Sequence, residues 1–389
     1  MYKRQDVRVQ FGTNYMVWGG HILRHTLGTW LSLVKVEKDI WKVYKKVKKI
    51  NFAELLKDFF NNDKLKGTIS VLLRNIGLSA NRASALTAVI LFREYTLDPG
   101  YYPIGGMQKF SDILKDIFIN YGGEVLFSRK VIKILTSNRK VKGIVLEDNK
   151  KVFANIVVSN TDATMTFEEL LDIKTLEVSI VKRLEISPSP FVVYLGLRKN
   201  LLKDISNDIS NIWPFFSYDI RKIPLMSRKD IINGKVYITM ISFQSLHDPI
   251  LIKNNSTTIG IFATVNYESS NFWKEYKEKL SLLMILKAQE LIPFSDQDID
   301  KKVVATPYTF YEYTLNKNGS AFGWASIPSQ ISASILPQST SVEGLFLVGH
   351  WTTIGSGQGG VPKVSFSGRR VASIILKKMG KEWKYGAYQ

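Results

Sequence analysis

Apolar residues recur every three to four positions from about residue 18 to 97 and then give way to short alternating runs, so the chain reads as helical first and mixed afterwards. Between Lys35 and Phe60, Val36, Ile40, Val43, Val47 and Ile50 fall on one face. Lys38, Lys42, Lys45, Lys46, Lys48 and Lys49 fill much of the other. This predicts one amphipathic helix, read either as a solvated face over a core or as a basic helix lying on a membrane surface. Further helices are expected near Leu65 to Asn75 and from Ser79 to Tyr95, with Ser79 as the cap.

The texture changes at the turn signal Asp98-Pro-Gly100. Pro103, Gly105 and Gly106 lead into a helix expected from Met107 to Asn120, which Gly122-Gly123 stops. Strands are then predicted over Glu124 to Phe127, Val131 to Leu135, Val141 to Leu146 and Val152 to Val158, with Asp148-Asn149 as a hairpin turn. This meander re-enters a larger sheet at Asn155 to Asn160. From about 162 to 340 helix and strand patterns alternate, with strands at Val192 to Leu197, Val236 to Ser242 and Ile259 to Val265. A long helix from Asn271 to Leu291 is closed by Pro293. The last segment is a strand, Gly344 to Val348, then a glycine-rich loop and a helix from Val361 to Met379.

Composition changes the picture in two places. With 389 residues, 45% of them hydrophobic, the chain can bury a large core, divided over two domains. Cysteine is absent, which excludes disulfides, thiolate metal sites and thiol nucleophiles and suits a cytoplasmic protein. No apolar run is long enough to span a bilayer, and the first residues lack the apolar core of a secretory signal. The net charge of +19 comes with no clustered basic motif, so nucleic-acid binding is not expected; the charge is either compositional or an attraction to an anionic membrane surface. Met1-Tyr-Lys-Arg-Gln5 back-translates to a run that resembles the end of a transposon-derived sequencing adapter. One expectation is therefore a cut reading frame with Asp6 as the first natural residue; a genuine polar N-terminus is the other.

The stretch that carries chemistry runs from Leu345 to Pro362. An apolar strand ends at Gly349, the loop holds Gly355, Gly357, Gly359 and Gly360, and Pro362 sits in the first helical turn. A strand, a glycine-rich loop and a helix N-terminus direct free N–H donors and a positive dipole end at one spot, which suits an electron-rich group. The loop does not match the nucleotide pattern of GxGxxG with a downstream acid, nor a phosphate loop, and a structural connector is the plain alternative. The four histidines, His21, His25, His247 and His350, are too scattered to argue a metal cluster or a Ser-His-Asp arrangement, so no metal is expected.

YYPIGGMQKFSDILKDIFINYGGEVLFSRKVIKIL, from Tyr101 to Leu135, resembles the mid-chain segment of the phytoene desaturase and prolycopene isomerase family. VVSNTDA at Val157 to Ala163, SPSPFVVYLGL at Ser187 to Leu197, Leu246-His-Asp-Pro249, Ala305 to Ala325 and Gly349 to Ala372 extend the resemblance in order to the end of the chain. These proteins belong to the wider flavin amine-oxidase-like superfamily. The resemblance implies an α/β fold: a Rossmann-like FAD-binding domain, incomplete because its first βαβ unit is missing, interleaved with a substrate domain of mixed sheet and helices. The expected organisation is 1–97 as a helical part of the substrate domain, 98–161 as an FAD-domain segment, 162–340 as the substrate domain, and 341–380 as the closing FAD-domain strand, loop and helix.

FAD is the implied cofactor, with backbone near Val131 contacting adenine and the amides of Gly359, Gly360 and Val361 facing the flavin side. Gly349 and His350 lie where the strand ends, His350 either donating to a ribityl hydroxyl or serving as a satisfied loop histidine. Gly105 and Gly106 either let the chain pass close to the cofactor or simply form a turn. Trp324, Phe322, Tyr308, Phe310 and Tyr311 either line an apolar tunnel or belong to the core. No catalytic side chain is assigned. The implied activity is desaturation or cis-trans isomerisation of a long apolar polyene taken from a membrane to which the protein binds peripherally. The alternatives are a flavin amine oxidase acting on a polar substrate, and a non-catalytic split-gene subunit whose partner supplies the dinucleotide domain.

Overall fold

The runs SPFVVYLGL and TTIGIFATV are rich in β-branched and aromatic residues, and they pair antiparallel from Ser189 opposite Val265 to Leu197 opposite Thr257. The computed structural model describes residues 42–96, 102–198, 201, 211–215, 217–222, 225–248, 250, 256–331, 335–352 and 360–381. Helices α1 (Phe52–Phe59), α2 (Asp63–Ile69) and α3 (Ala85–Thr96) open it, followed by α4 (Gly106–Asn120). Strands β1 (Val131–Ser137), β2 (Lys140–Leu146), β3 (Lys151–Phe153) and β4 (Val157–Ser159) come next, then short helices α5 (Ala163–Glu168) and α6 (Leu176–Val181). The two paired runs are β5 (Ser189–Leu197) and β9 (Thr257–Val265); between them lie β6 (Asn211–Ile212), β7 (Leu225–Met226), α7 (Arg228–Ile232), β8 (Met240–Ser242) and α8 (Gln244–His247). Helix α9 (Ser270–Gln289), β10 (Ile299–Ala305), α10 (Pro307–Thr314), β11 (Leu345–Leu347) and α11 (Val361–Lys378) complete the order.

Six strands form the large sheet, in the order β10-β5-β9-β8-β6, with β7 beside β9. One face buries Phe191, Val193, Leu195, Ile259, Ile261 and Ala263, and α9 covers it with Trp273, Leu280, Met284 and Ala288 at helical spacing. Each fully buried side chain of this size contributes about 1.5–3 kcal/mol. A second core gathers Ile134 and Val141 of the meander, Phe167 and Val181 of the short helices with Leu170 between them, Leu345 and Leu347 of β11, and the two tryptophans Trp324 and Trp351. A third lies among α1, α3 and the turn between them, where Ala80, Ala83 and Ala88 let the backbones come close to Phe52 and Leu56.

Several elements differ from the sequence reading. The helix expected over Lys35 to Phe60 is not continuous: residues 42–47 are helical, and α1 begins anew because Asn51 and Glu54 cap each other, the two backbone-to-side-chain bonds each 3.0 Å long. Residues 1–41, including the first part of that helix, lie outside the described residues. Ser79 closes a turn instead of a helix, accepting from Arg82 and Ala83, and Ser84 takes over at the start of α3. The strand expected at Val152 to Val158 is broken, because Ala154 still donates to Lys142 of β2 while Val157 already donates to Gly344 ahead of β11. Of Val236 to Ser242 only Met240–Ser242 joins the ladder, and α9 ends at Gln289 instead of Leu291. Glu124 to Phe127 forms no strand.

Candidate functional site

Strand β11 and β4 run parallel, Leu345 opposite Val157 and Leu347 opposite Ser159. All three residues of β11 are buried, as an apolar LFL run dictates, and the chain leaves the strand through Gly349 at φ 84°. Glycine is required here twice over: the φ is left-handed, and Oδ1 of Asn160, just past β4, stands where a Cβ would go. Gly349 N–H donates to Ser367 Oγ at 2.7 Å, so the strand end is tied directly to α11. Gln338 reinforces that tie by donating to the carbonyls of both Leu347 and Ser367.

Helix α11 starts at Val361 after an N-cap Gly360 at φ 92°, with no side chain capping its first turn and a proline inside it. Its N-terminal dipole end is therefore uncapped by its own sequence, as the strand–loop–helix pattern requires. Gly359 and the rest of 353–359 lie outside the described residues. His350 is half-buried, its buried Nε2 has no partner among the described residues, and desolvation holds its imidazole below the ordinary range. One ring nitrogen of His350 thus has unmet hydrogen-bonding capacity among the described residues.

Two tryptophans build the wall behind His350. Trp351 Nε1 donates to Asn316 Oδ1 at 2.7 Å, Trp324 Nε1 donates to the Trp351 carbonyl at 2.8 Å, and the rings meet edge to face at 4.9 Å. Trp324 is fully buried in the second core, so of its two readings the core one holds. Tyr308 packs against the first core and Tyr311 lies 6.1 Å from it, ring to ring; Phe310 and Phe322 are half-buried. Gly323, at φ 69°, lets the loop press on the backbone of residue 350, where a Cβ would come within 2.7 Å of the His350 carbonyl oxygen.

The remaining candidates sit elsewhere in the contact network. Gly105 and Gly106 both have left-handed φ, 87° and 83°, and form the turn that starts α4. Gly105 N–H donates to the buried carboxylate of Asp248, and Gly106 N–H to the Pro103 carbonyl. Val131 opens β1 opposite Leu146. No hydrogen bond or strand register joins these three to 349–361 among the described residues. Val361 is the first residue of α11.

Sequence reasoning did not single out Asp162. Its carboxylate accepts from Thr164 N at 2.7 Å and from Lys317 N at 2.6 Å, joining the end of β4 to the loop that carries Trp324. Desolvation raises its pKa even against those two bonds. Asp in the VVSNTDA stretch, one residue before a helix, was the available signal.

The matched relatives decide what this arrangement belongs with. The neurosporene-forming phytoene desaturase of Rhodobacter capsulatus is 30% identical over 294 residues, which cover 71% of this chain and 53% of that protein. Prolycopene isomerase 2 of an Oncidium hybrid is 25% identical over 302 residues, 73% of this chain and 47% of that one. The chain is a relative of the carotenoid desaturases and isomerases. It spans about half the length of the curated relatives it matches. A solved putrescine oxidase variant superposes with a TM-score of 0.62 at 11% identity, covering 86% of this chain and 69% of that one, which places this mixed α/β chain in the same fold. No protein-family model matches.

Proposed function

We propose that this chain belongs to a flavin-dependent oxidoreductase that acts on a long apolar polyene, by desaturation or by cis-trans isomerisation. The observation that carries the reading is the junction of β11 and α11: a glycine exit held by Ser367, an uncapped helix start, and an unpartnered buried nitrogen on His350. These residues fit FAD. The first amides of α11 at Gly360 and Val361 favour negative charge. His350 Nε2 would hold a hydroxyl of the bound group, its neutral imidazole able to donate or accept.

When bound, the flavin supplies the two-electron chemistry that no side chain here can perform. The chain's own part is to orient and to exclude water, and the interlocked Trp324 and Trp351 form a dry, rigid wall behind His350. Support for an apolar substrate comes from the desaturase and isomerase relatives, and the exposed lysines at 42, 45, 46 and 49 suit contact with an anionic membrane that would hold such a substrate. The incomplete dinucleotide-binding unit belongs to the same proposal: β4 and β11 would be the remaining strands of its parallel sheet.

The test is turnover by the flavin-loaded chain of phytoene or prolycopene carried in vesicles, read as new long-wavelength polyene absorbance or a changed isomer. Putrescine serves as the polar competitor, read as hydrogen peroxide release. Peroxide from the amine with the polyene untouched would favour the amine-oxidase alternative and overturn this one.

A further inference from the structure

Capping α5 uses only half of the Asp162 carboxylate. Oδ1 accepts from Thr164 N–H at 2.7 Å, and a serine or threonine hydroxyl could do that much. Oδ2 reaches 155 residues along the chain to accept from Lys317 N–H at 2.6 Å. The carboxylate is buried and desolvation raises its pKa against both bonds, so a charge held there is costly and capping alone does not call for it. Lys317 N–H shares a planar peptide with the Asn316 carbonyl, so the bond to Asp162 fixes the plane that leads out of Asn316. Asn316 is buried with both ends of its amide engaged: Oδ1 accepts from Trp351 Nε1 at 2.7 Å, and Nδ2 donates to the Ser320 carbonyl at 3.2 Å. Leu315, just before it, is held at φ 55°, a left-handed conformation that leucine keeps only where its surroundings over-determine the chain. From Trp351 to His350 is a single step. Gly349 N–H donates to Ser367, the Gly349 carbonyl accepts from Thr352 Oγ1, and the Trp351 carbonyl accepts from Trp324. The backbone on both sides of His350 is thus pinned, and the Trp351 ring, 5.6 Å from the imidazole, is pinned from Asn316.

We propose that Asp162 is a positioning residue for His350: through Lys317 N–H and Asn316 it holds the Trp351 indole and thereby sets the orientation of the imidazole beside it. The inference rests on the reading of His350 as a contact to a hydroxyl of the bound flavin. Asp162 acts only through other residues, so its loss alters how the ring sits and removes no reacting group. Two variants break the same bond from opposite sides. Asp162→Asn leaves one acceptor for two N–H donors. Lys317→Pro removes the donor at an exposed residue, and the backbone suits it: Asn316 is extended at φ −70° and ψ 127°, and Lys317 is the first residue of a helical turn. Asp230→Asn, a carboxylate lost from the capping box of α7, is the control away from this path.

Nitrogen-15 NMR of the full chain reads the indole N–H of Trp351, assigned by its loss in Trp351→Phe, together with the imidazole of His350. Asp162→Asn and Lys317→Pro should each speed solvent exchange of that indole proton at least about fivefold and shift the His350 ring signals. The double variant should go no further than the stronger single one, because both remove one bond. Asp230→Asn should move neither signal. FAD affinity, followed by quenching of flavin fluorescence, should fall at least about fivefold in the 162 and 317 variants and stay unchanged in the control. Circular dichroism checks folding, and should Asp162→Asn not fold, Lys317→Pro carries the test. Unmoved Trp351 and His350 signals in a folded variant, additive effects in the double variant, or equal movement in Asp230→Asn would overturn the proposal. So would moved signals with FAD affinity intact. A wild-type chain with no affinity for FAD would instead remove the flavin reading, and the NMR comparison would still decide whether Asp162 orients His350.

Discussion

Replacing Gly323 with alanine tests whether the loop carrying Trp324 is seated on the backbone of His350. Two contributions can be separated. The first is conformational: φ at 323 is 69°, where an L side chain costs about 1–2 kcal/mol. The second is steric, since a Cβ there meets the His350 carbonyl oxygen at 2.7 Å and its ring carbon at 2.9 Å. Backbone cannot rotate away, so the two segments must part, and the 2.8 Å bond from Trp324 Nε1 to the Trp351 carbonyl stretches with them. Losing that bond adds about 1 kcal/mol, giving about 2–3 kcal/mol in all. Gly234 is the matched control: its φ is 71°, and the nearest atom to its Cβ is a leucine methyl at 3.5 Å. Gly234→Ala should therefore show the conformational cost alone. Urea denaturation followed by circular dichroism and tryptophan fluorescence reads both, as shifts of the midpoint at constant slope. Equal losses in the two variants would refute the close seating of residue 323 on residue 350.

Other consequences can be measured alongside. Asn51→Ala removes half of the capping box and should cost about 0.5–2 kcal/mol in the same denaturation, with Glu54→Gln milder. Ile117→Glu at an exposed position of α4 should change stability by no more than about 0.5 kcal/mol, whereas Leu56→Ala, buried in the helical core, should cost about 2–5 kcal/mol. Burial depresses the His350 pKa in the folded chain, so the unfolded chain binds the proton more tightly, and stability present above pH 6.5 is lost as pH falls through the folded value. The difference between the pH–stability curves of wild type and His350→Gln should therefore rise with pH below 6.5 and be flat above it. The opposite slope would show a charged, paired imidazole.

The large sheet was legible because β5 and β9 are long, β-branched and bounded by clear breaks, and α9 carries a plain helical stripe. The break at Asn51 was missed because the lysine and apolar spacing runs straight through it, and only the Asn51–Glu54 reciprocity marks a new start. Glu124 to Phe127 has every local feature of a strand, but a strand exists only with a neighbour, and none of the described residues provides one. The strand–loop–helix at 345–361 was visible from its glycines. Ser367, Asn160 and Asp162 were not, since their roles arise from contacts across the chain that no local pattern announces. Trp324 could be placed in a tunnel or a core equally well until its indole N–H was seen bonded to Trp351.

Hydrogen exchange of the full chain with and without millimolar FAD tests for a flavin seat at the β11–α11 junction without requiring turnover. Slowed exchange is expected at 347–352 and in the first turn of α11, with loss of that protection in Gly360→Asp, which caps the helix donors and sets a negative charge against the phosphates. Unchanged exchange at the junction, or equal protection in the variant, would contradict a flavin seat there.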